Sequence, residues 1–316
     1  MNDLLLSALP EHMRERLVEA REEVRKVVDE MDARTLTLWL SETMPRLAGL
    51  LCDANPEDIA ANVEDLKRAD RAISVCVACK GIDGCGLGTD GLFPSVSRFD
   101  RGVLVRDMDC RFRIGRRIMQ RSLAESTIGE RFKDRKFDNF IPRAGSEKAL
   151  ARARQVAEDE SERGLFTWGR PGNGKSHLLV AIFWERLRRG SYTIHYDAAT
   201  LFNRLRAASQ SGTAEDLVQK LIDVPTLLLD DIDKATAGSR DGELSGFAKE
   251  HLFRIIDGRY EAKRQTCVTS NGGLNALAEQ IGGTTGEAIV SRLFEMCHLV
   301  EVTASDYRIE LGRGPA

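Results

Sequence analysis

The sequence lacks the features that mark membrane and secreted proteins. Its longest clean apolar run, residues 178–184, is far shorter than the ~20 residues that a membrane-spanning helix needs. The first ten residues contain a small leucine cluster, but no basic residue precedes it and no small-residue cleavage pattern follows it, so no signal peptide is expected. We therefore expect a cytoplasmic protein that does not associate with a membrane.

The sequence also lacks an excess of either charge. Lysine and arginine number 46 against 49 for aspartate and glutamate, and the formal net charge is −3, so any nucleic-acid contact must be local. With 42% hydrophobic and 30% charged residues, the composition is that of a globular protein rather than a disordered tail. At roughly 150 residues per domain, the 316 residues indicate two domains, which we place at 1–121 and 122–316.

Amphipathic helices are predicted over the first 70 residues. Apolar residues step by four and three along positions 13–31, which forms one stripe of a helix that packs in a core or fits the groove of a partner. A second helix is predicted to carry the apolar residues from Leu36 to Leu51. A third is predicted to open at Asn55, which can cap it, with Pro56 in its first turn.

Four of the seven cysteines crowd into the next stretch, namely Cys76, Cys79, Cys85 and Cys110. This region is rich in glycine and has little apolar content, so burial alone cannot hold it together, and two cysteines at two-residue spacing form half of a tetrahedral zinc site. We predict a structural Zn²⁺ ion bound by the four thiolates. Buried or merely reduced thiols are the alternative, and an iron–sulfur cluster is a further one that nothing in the sequence requires.

Residues 98–121 are the one clearly basic segment, with eight arginines against three aspartates. Such a segment can follow a phosphate backbone. Most charge runs, however, are solvated faces, and the sequence leaves both interpretations open.

A phosphate-binding loop opens the second half of the chain. A buried strand is predicted at residues 165–168 and an apolar helix at 177–188, with Gly-Arg-Pro-Gly-Asn-Gly-Lys-Ser between them. The N–H groups of such a loop surround a phosphate, the lysine reaches the terminal phosphates, and the serine hydroxyl ligates Mg²⁺. The predicted ATP-binding residues of the loop are Gly169, Pro171, Gly172, Asn173, Gly174, Lys175, Ser176 and His177.

Two further predicted strands end in polar side chains. Residues 226–229 form an apolar run that leads into Asp230 and Asp231, and residues 265–270 lead to Asn271. Because parallel sheets bind ligands at the carboxyl ends of their strands, we assign Asp230 to the nucleotide and Mg²⁺, Asp231 to orienting the attacking water, and Asn271 to the γ-phosphate. An asparagine that simply ends a strand is the alternative for Asn271.

Two arginines further along are candidates for compensating the charge that develops on a transferred phosphoryl group. Arg292 lies in Ser-Arg-Leu on a predicted helix, and Arg308 lies near the C-terminus. An arginine supplied by a neighbouring subunit can contribute ~10³–10⁵ in rate. An isolated arginine is usually a surface residue, and only the order of the motifs favours a role for these two.

The order of these motifs resembles the AAA+ ATPases of bacterial replicative helicase loaders, the DnaC/DnaI type, and the related transposition ATPases of the IstB type. The resemblance covers residues 131–308. It rests on Arg131-Phe132 with Phe137-Asp-Asn-Phe140, Gly174-Lys175-Ser176-His177-Leu178, Leu229-Asp230-Asp231, Ile255-Ile256-Asp257-Gly258-Arg259-Tyr260, Thr269-Ser270-Asn271 and Ser291-Arg292-Leu293. The cysteine-rich segment is similar to the zinc-bearing N-terminal domain of DnaI-type loaders.

The resemblance implies a fold and a set of residue roles. The fold is an α/β AAA+ P-loop NTPase with a parallel sheet flanked by helices, preceded by a small, mainly helical zinc-binding domain. Asn271 would be the first sensor, Arg292 a finger that acts across a subunit boundary, and Arg308 the second sensor, with Arg259 as runner-up for the contact in trans. Asp231 stands where many related ATPases have a longer glutamate, which predicts a slow basal rate.

The resemblance also implies partners. Residues 1–121 would bind a hexameric replicative DNA helicase, the ATPase domain would associate with further copies of itself, and ATP hydrolysis would place the helicase on single-stranded DNA. Two alternatives remain open. One is an IstB-like transposition helper that acts on duplex DNA, and the other is an adaptor that binds ATP without useful turnover.

Overall fold

The computed structural model describes residues 33–79, 81, 85–88, 91–159, 163–236 and 244–307. The chain divides into two compact units, Met1–Ile114 and Gly115–Ala316. The domain boundary predicted at 121 lies within a continuous helix, Arg111–Glu125, and stays a prediction. The helix predicted over 13–31 and the candidate Arg308 lie outside the described residues.

Four short helices begin the described part of the first unit. They are α1 (Ala33–Thr43), α2 (Ala48–Leu51), α3 (Pro56–Ala61) and α4 (Val63–Val77). The single helix predicted through Leu51 is wrong, because Pro45 breaks it between α1 and α2; proline has no N–H for the helical ladder. The carboxylate of Asp70 accepts hydrogen bonds from the backbone N–H of Arg46 (2.7 Å) and of Leu47 (3.1 Å) at the break.

The predicted start of the third helix is confirmed. The side chain of Asn55 caps α3 by accepting a hydrogen bond from the N–H of Glu57 at 3.3 Å, and Pro56 occupies the first turn. This arrangement satisfies one of the N–H groups that a helix leaves unpaired at its start.

A β-hairpin follows the cysteine-rich stretch, where sequence reasoning found only a basic segment. Strands β1 (Leu92–Phe99) and β2 (Gly102–Asp109) pair antiparallel through a two-residue turn in which Asp100 has φ 55°. Three valines of the hairpin, Val96, Val103 and Val105, pack against the helical core. The described part of the first unit is therefore mainly helical, as expected, with an unpredicted hairpin packed on its helical core.

Helix α5 (Arg111–Glu125) runs from the first unit into the second, which is built around one sheet. Its five strands are all parallel, in the order β4-β5-β6-β3-β7. The strands are β3 (Gly164–Trp168), β4 (Thr193–Asp197), β5 (Thr226–Asp230), β6 (Gln265–Ser270) and β7 (Cys297–Glu301). The predicted α/β fold with a parallel sheet flanked by helices is confirmed.

Helices cover the sheet, and alternate strand residues enter separate cores on its two faces. The helices are α6 (Glu147–Glu158), α7 (Lys175–Arg188), α8 (Ala198–Gln210), α9 (Ala214–Asp223), α10 (Gly246–Glu261), α11 (Leu274–Ile281) and α12 (Gly283–Met296). Of the helices in the described ranges, none is both long enough and apolar enough to cross a membrane.

The strand order positions the candidate site. Strands β5, β6 and β3 are neighbours, and Trp168 at the end of β3 pairs with Ser270 at the end of β6. Because the three strands are parallel, their carboxyl ends meet at one edge of the sheet, where such sheets bind ligands. The phosphate-binding loop, the aspartates after β5 and Asn271 therefore converge there.

Candidate functional site

The loop between β3 and α7 has a backbone that only glycine accommodates at its tightest points. Gly172 has φ 82°, and a Cβ there would lie 1.9 Å from the carboxylate of Asp306. Gly174 has φ 99° and immediately precedes α7, whose first residue is Lys175. The loop is thus folded tightly, with the N-terminus of a 14-residue helix directly behind it, which is the arrangement that binds phosphate.

Lys175 is buried within this loop. Its ammonium donates hydrogen bonds to the carbonyl oxygens of Gly169 (2.7 Å) and Arg170 (3.0 Å) and to Oδ1 of Asn173 (3.3 Å). Burial lowers the pKa of Lys175, although the carboxylates of Asp231 and Asp230 oppose the shift. The cation therefore lies inside the loop with its charge balanced by the acids at the end of β5.

A hydroxyl–carboxylate cluster lies beside the loop. Ser176 Oγ donates to Asp230 Oδ1 at 3.0 Å, and Thr269 Oγ1 donates to the same oxygen at 2.5 Å. Burial raises the pKa of Asp230 to about 6, despite the two hydrogen bonds that favour its ionised form. Hydroxyl and carboxylate oxygens suit Mg²⁺. Thr269 lies in the motif that leads to Asn271, but the sequence alone does not predict its contact with Asp230.

Two of the four predicted catalytic side chains, Asp231 and Asn271, are held by the short 3₁₀ turn that follows β5, Ile232–Thr236. Asp231, with φ 52°, pairs its carboxylate with the ammonium of Lys234. Asn271 donates its side-chain Nδ2 to Asp233 at 2.6 Å and its backbone N–H to the same carboxylate at 3.1 Å. Sequence reasoning missed Asp233 and Lys234, although their place directly after two strand-ending aspartates was the available signal.

A cavity of about 250 Å³ brings most of the predicted site residues together, but Gly169 and Asp230 are not among those that line it. The predicted site residues that line it are Pro171, Gly172, Asn173, Gly174, Lys175, Ser176, His177, Asp231 and Asn271. Phe132, Phe140 and Tyr307 also line it, and the ring of His177 meets Phe140 edge-on at 5.1 Å between centroids. The carbonyl of Lys136 can only accept, so Nε2 of His177, 2.9 Å away, donates to it. The cavity therefore joins phosphate-binding groups to aromatic side chains.

Comparison with known proteins agrees with this geometry. The model of the IstB-like ATP binding protein family matches residues 108–313, which is more than half of the chain. The chain belongs to the IstB-like ATP-binding family. The resemblance predicted from the motifs is thereby confirmed, and binding of ATP follows from membership of the family.

Named relatives of this IstB-like protein include replicative helicase loaders. The DnaC loader of Escherichia coli (strain K12) is 30% identical over 169 residues, which is 52% of this chain and 66% of that protein. An insertion sequence IS5376 putative ATP-binding protein of Geobacillus stearothermophilus is 29% identical over 152 residues, 48% of this chain and 57% of that protein. The chain thus spans just under two thirds of the length of this Escherichia coli loader. Among solved structures, a DnaC helicase loader is 27% identical with a TM-score of 0.48 over 55% of this chain and 100% of that one.

Arg292 and Arg259 have different surroundings. Arg292, on α12, donates a hydrogen bond to Asp257 on α10 and does not line the cavity beside the phosphate-binding loop. The choice of Arg259 as runner-up for a contact in trans is wrong. Its guanidinium is fully buried, and it donates to Thr266 Oγ1 and to the carbonyls around the end of α9 and the start of β6.

The IstB-like chain also places its four clustered cysteines around one cavity. This cavity, of about 350 Å³, is lined by Cys76, Cys79, Cys85 and Cys110. Burial, and after it the charges of the three neighbouring thiols, raise the pKa of Cys76. Within the described ranges, no group of three or more His, Cys, Asp or Glu side chains has a geometry that could hold a metal ion. The zinc site stays a prediction.

Proposed function

We propose that this protein uses ATP to load a hexameric replicative DNA helicase onto single-stranded DNA. The observation that carries the proposal is the contact between Ser176 and Asp230 beside Lys175, at the edge of the sheet. The similarity to helicase loaders named DnaC supports the choice of substrate.

The residues around the cavity have the chemistry that ATP hydrolysis needs. The loop of Gly169–Gly174 would bind the phosphates with its N–H groups, while Lys175 would contact the terminal phosphates after exchanging its bonds to Gly169 and Arg170. Ser176 and Asp230 would hold Mg²⁺, which neutralises charge on the phosphates when bound. Asp231 would orient the attacking water, with Asn271 beside the γ-phosphate.

Two arginines complete the proposed site. Arg292 would reach the nucleotide of a neighbouring copy, so the ATPase unit would work as an oligomer. Its location outside its own cavity agrees with action in trans. Arg308 would act as the second sensor, and it directly follows Tyr307, which lines the cavity.

The four cysteines would bind Zn²⁺ in the unit that contacts the helicase. Their thiolates are the donors that structural zinc prefers, and all four line one cavity. The thiolates are suitable donors for zinc, but the four sulfur atoms would have to move closer together to coordinate one ion. Zinc would then contribute folding free energy, ~10–16 kcal/mol in small zinc modules, to a region with little apolar content.

The test measures phosphate release by the full chain, with and without single-stranded DNA and the host's replicative helicase. Lys175→Ala serves as the control that lacks the phosphate contact. We expect the wild type to exceed the control and to retain the helicase during gel filtration. A wild type that never exceeds the control would reject the motor and leave an adaptor that binds ATP without turnover, an alternative supported by the pairing of Asp231 with Lys234.

A transposition helper is the second candidate, and the family match and the relative from an insertion sequence favour it. The full chain should be offered both the replicative helicase and a transposase with duplex DNA. Retention of the helicase alone supports the loader. Retention of the transposase alone rejects it.

A further inference from the structure

We propose that Asp257 is a positioning residue, which aims the guanidinium of Arg292 at the nucleotide of a neighbouring copy of this chain. The inference rests on the trans-acting role of Arg292 proposed above. It concerns two packed helices, α10 and α12, that lie away from the cavity of their own subunit.

The carboxylate of Asp257 fixes one flank of the arginine. Its Oδ1 accepts a hydrogen bond from Nε of Arg292 at 2.6 Å and forms an ion pair with Nη2, which lies 2.5 Å away. On the other flank, Nη1 donates to the carbonyl of Ala288 at 3.1 Å, one turn earlier on α12. Anchors on both flanks determine the plane of the guanidinium and the direction in which it points.

This arrangement leaves part of the guanidinium accessible to a ligand. Of the five N–H groups that arginine carries, the one on Nε and one on Nη1 donate hydrogen bonds within the described residues, and 26% of the side chain is exposed. Arginine binds phosphate with paired N–H groups, so the exposed part of the guanidinium has the chemistry to contact a phosphate of a neighbouring copy.

Aromatic rings support the same orientation. The guanidinium carbon lies 5.1 Å from the ring centre of Phe253 and 5.8 Å from that of Tyr260, both on α10. The hydroxyl of Tyr260 donates to Glu295 of α12 at 2.6 Å, which ties the ring to the helix that carries the arginine. The arginine is therefore held by contacts with aromatic rings as well as by the bonds on its flanks.

The ion pair between Arg292 and Asp257 contributes little to the stability of the fold. The side chains of Arg292 and Asp257 are 26% and 33% exposed, and pairs accessible to water contribute little to folding because solvent screens them. A positioning role is different, since a misplacement of about 1 Å at a reacting group can cost on the order of 100-fold in rate. Loss of Asp257 should affect catalysis in trans far more than folding.

Mixed oligomers test this directly. Arg292→Ala serves as the acceptor, because it keeps its nucleotide-binding residues and lacks the arginine that would act in trans. Asp231→Asn serves as the donor, because it keeps Arg292 and should not hydrolyse ATP itself. We expect the donor to restore ATP hydrolysis to the acceptor. A donor that also carries Asp257→Ala should restore about 10- to 100-fold less, whereas Asp257→Ala in the acceptor should change nothing.

Matched controls separate positioning from folding. Glu215→Ala removes another carboxylate paired with an arginine of α10, Arg254, at 2.6 Å, and as a donor it should rescue normally. Asp257→Glu should recover part of the rescue, and all variants should melt near the wild type. If the donor without Asp257 rescues fully, the positioning role is refuted. If Arg292→Ala is not rescued even by the donor with Asp257, it is the trans role of Arg292 that fails.

Discussion

Arg259 offers the sharpest test of how the second unit is held together. It lies in the middle of a recognisable motif, yet its side chain is fully buried. Its guanidinium donates to the carbonyls of Leu221 (2.6 Å), Val224 (2.8 Å) and Gln265 (2.5 Å). These carbonyls belong to the end of α9, the loop before β5 and the start of β6, so a single cation joins three elements.

Replacement of Arg259 by methionine should therefore destabilise the unit strongly. Burial lowers the pKa of Arg259 to about 9, which reports the cost of removing the cation from water. The hydrogen bonds offset this cost, and removing the cation leaves the carbonyls buried and unpaired at about 1–3 kcal/mol each. With water relieving part of the penalty, we expect a loss of about 3–5 kcal/mol, or on the order of 10 °C in Tm.

Thermal and urea denaturation of Arg259→Met, Arg259→Lys and Arg254→Ala measure the effect. Lysine keeps the charge but cannot donate in so many directions, so it should recover only a minor part. Arg254 is 38% exposed and pairs with Glu215, so its removal should cost less than about 1 kcal/mol. An Arg259→Met protein that melts like the wild type but fails to assemble would refute the structural role and restore Arg259 as a contact between copies.

Three other predictions concern the second unit. Burial lowers the pKa of His195 to about 4, and neither ring nitrogen has a partner among the described residues. Because the folded protein favours the neutral imidazole, the free energy of unfolding should fall by roughly 3 kcal/mol as the pH drops from 6.5 to 4. In urea titrations, the stability of His195→Leu should depend less on pH than that of the wild type. Phe294 is 61% exposed and lies two residues from Arg292, so we expect it to contact a neighbouring copy. Phe294→Ala should then weaken self-association, measured by sedimentation, without lowering Tm. Unchanged self-association would contradict this. Thr269→Val removes the hydrogen bond to Asp230 and the one that Thr269 accepts from the backbone N–H of Asp231. It should lower the apparent affinity for Mg²⁺ in ATPase assays about 10-fold, whereas an unchanged Mg²⁺ dependence would argue against Asp230 as its ligand.

The sheet and its loop could be predicted from the sequence because their signals are local. A buried parallel strand appears as a continuous apolar run, and β5 occurs where such a run stands, at Thr226–Asp230. Strand β6 has the predicted bounds, Gln265–Ser270, although most of its residues are polar. The glycines before Lys175 mark a turn that other residues cannot form. The strand order was not predicted, since no local pattern states which strands are neighbours.

The features that could not be predicted from the sequence also have physical explanations. The hairpin at Leu92–Asp109 was hidden because its arginines were interpreted as a basic segment, while its inward-facing valines are few. Pro45 interrupts a helix whose apolar spacing continues across the break, so the periodicity alone suggested one element. The burial of Arg259 depends on carbonyls 34 to 38 residues away in the chain and on the adjacent strand, and no sequence spacing reports it.

The turn after β5 couples the two proposed catalytic side chains in a way that neither motif shows alone. Asp233 binds both nitrogens of Asn271, its backbone N–H and its side-chain amide, so the position of Asn271 follows that of the turn. Lys234, the next residue, holds Asp231. A displacement of the turn must therefore move the partners of Asp231 and Asn271 together. In the proposed mechanism Asp231 orients the attacking water with a short side chain, so its reach to that water would depend on the same turn, and we expect a slow basal rate.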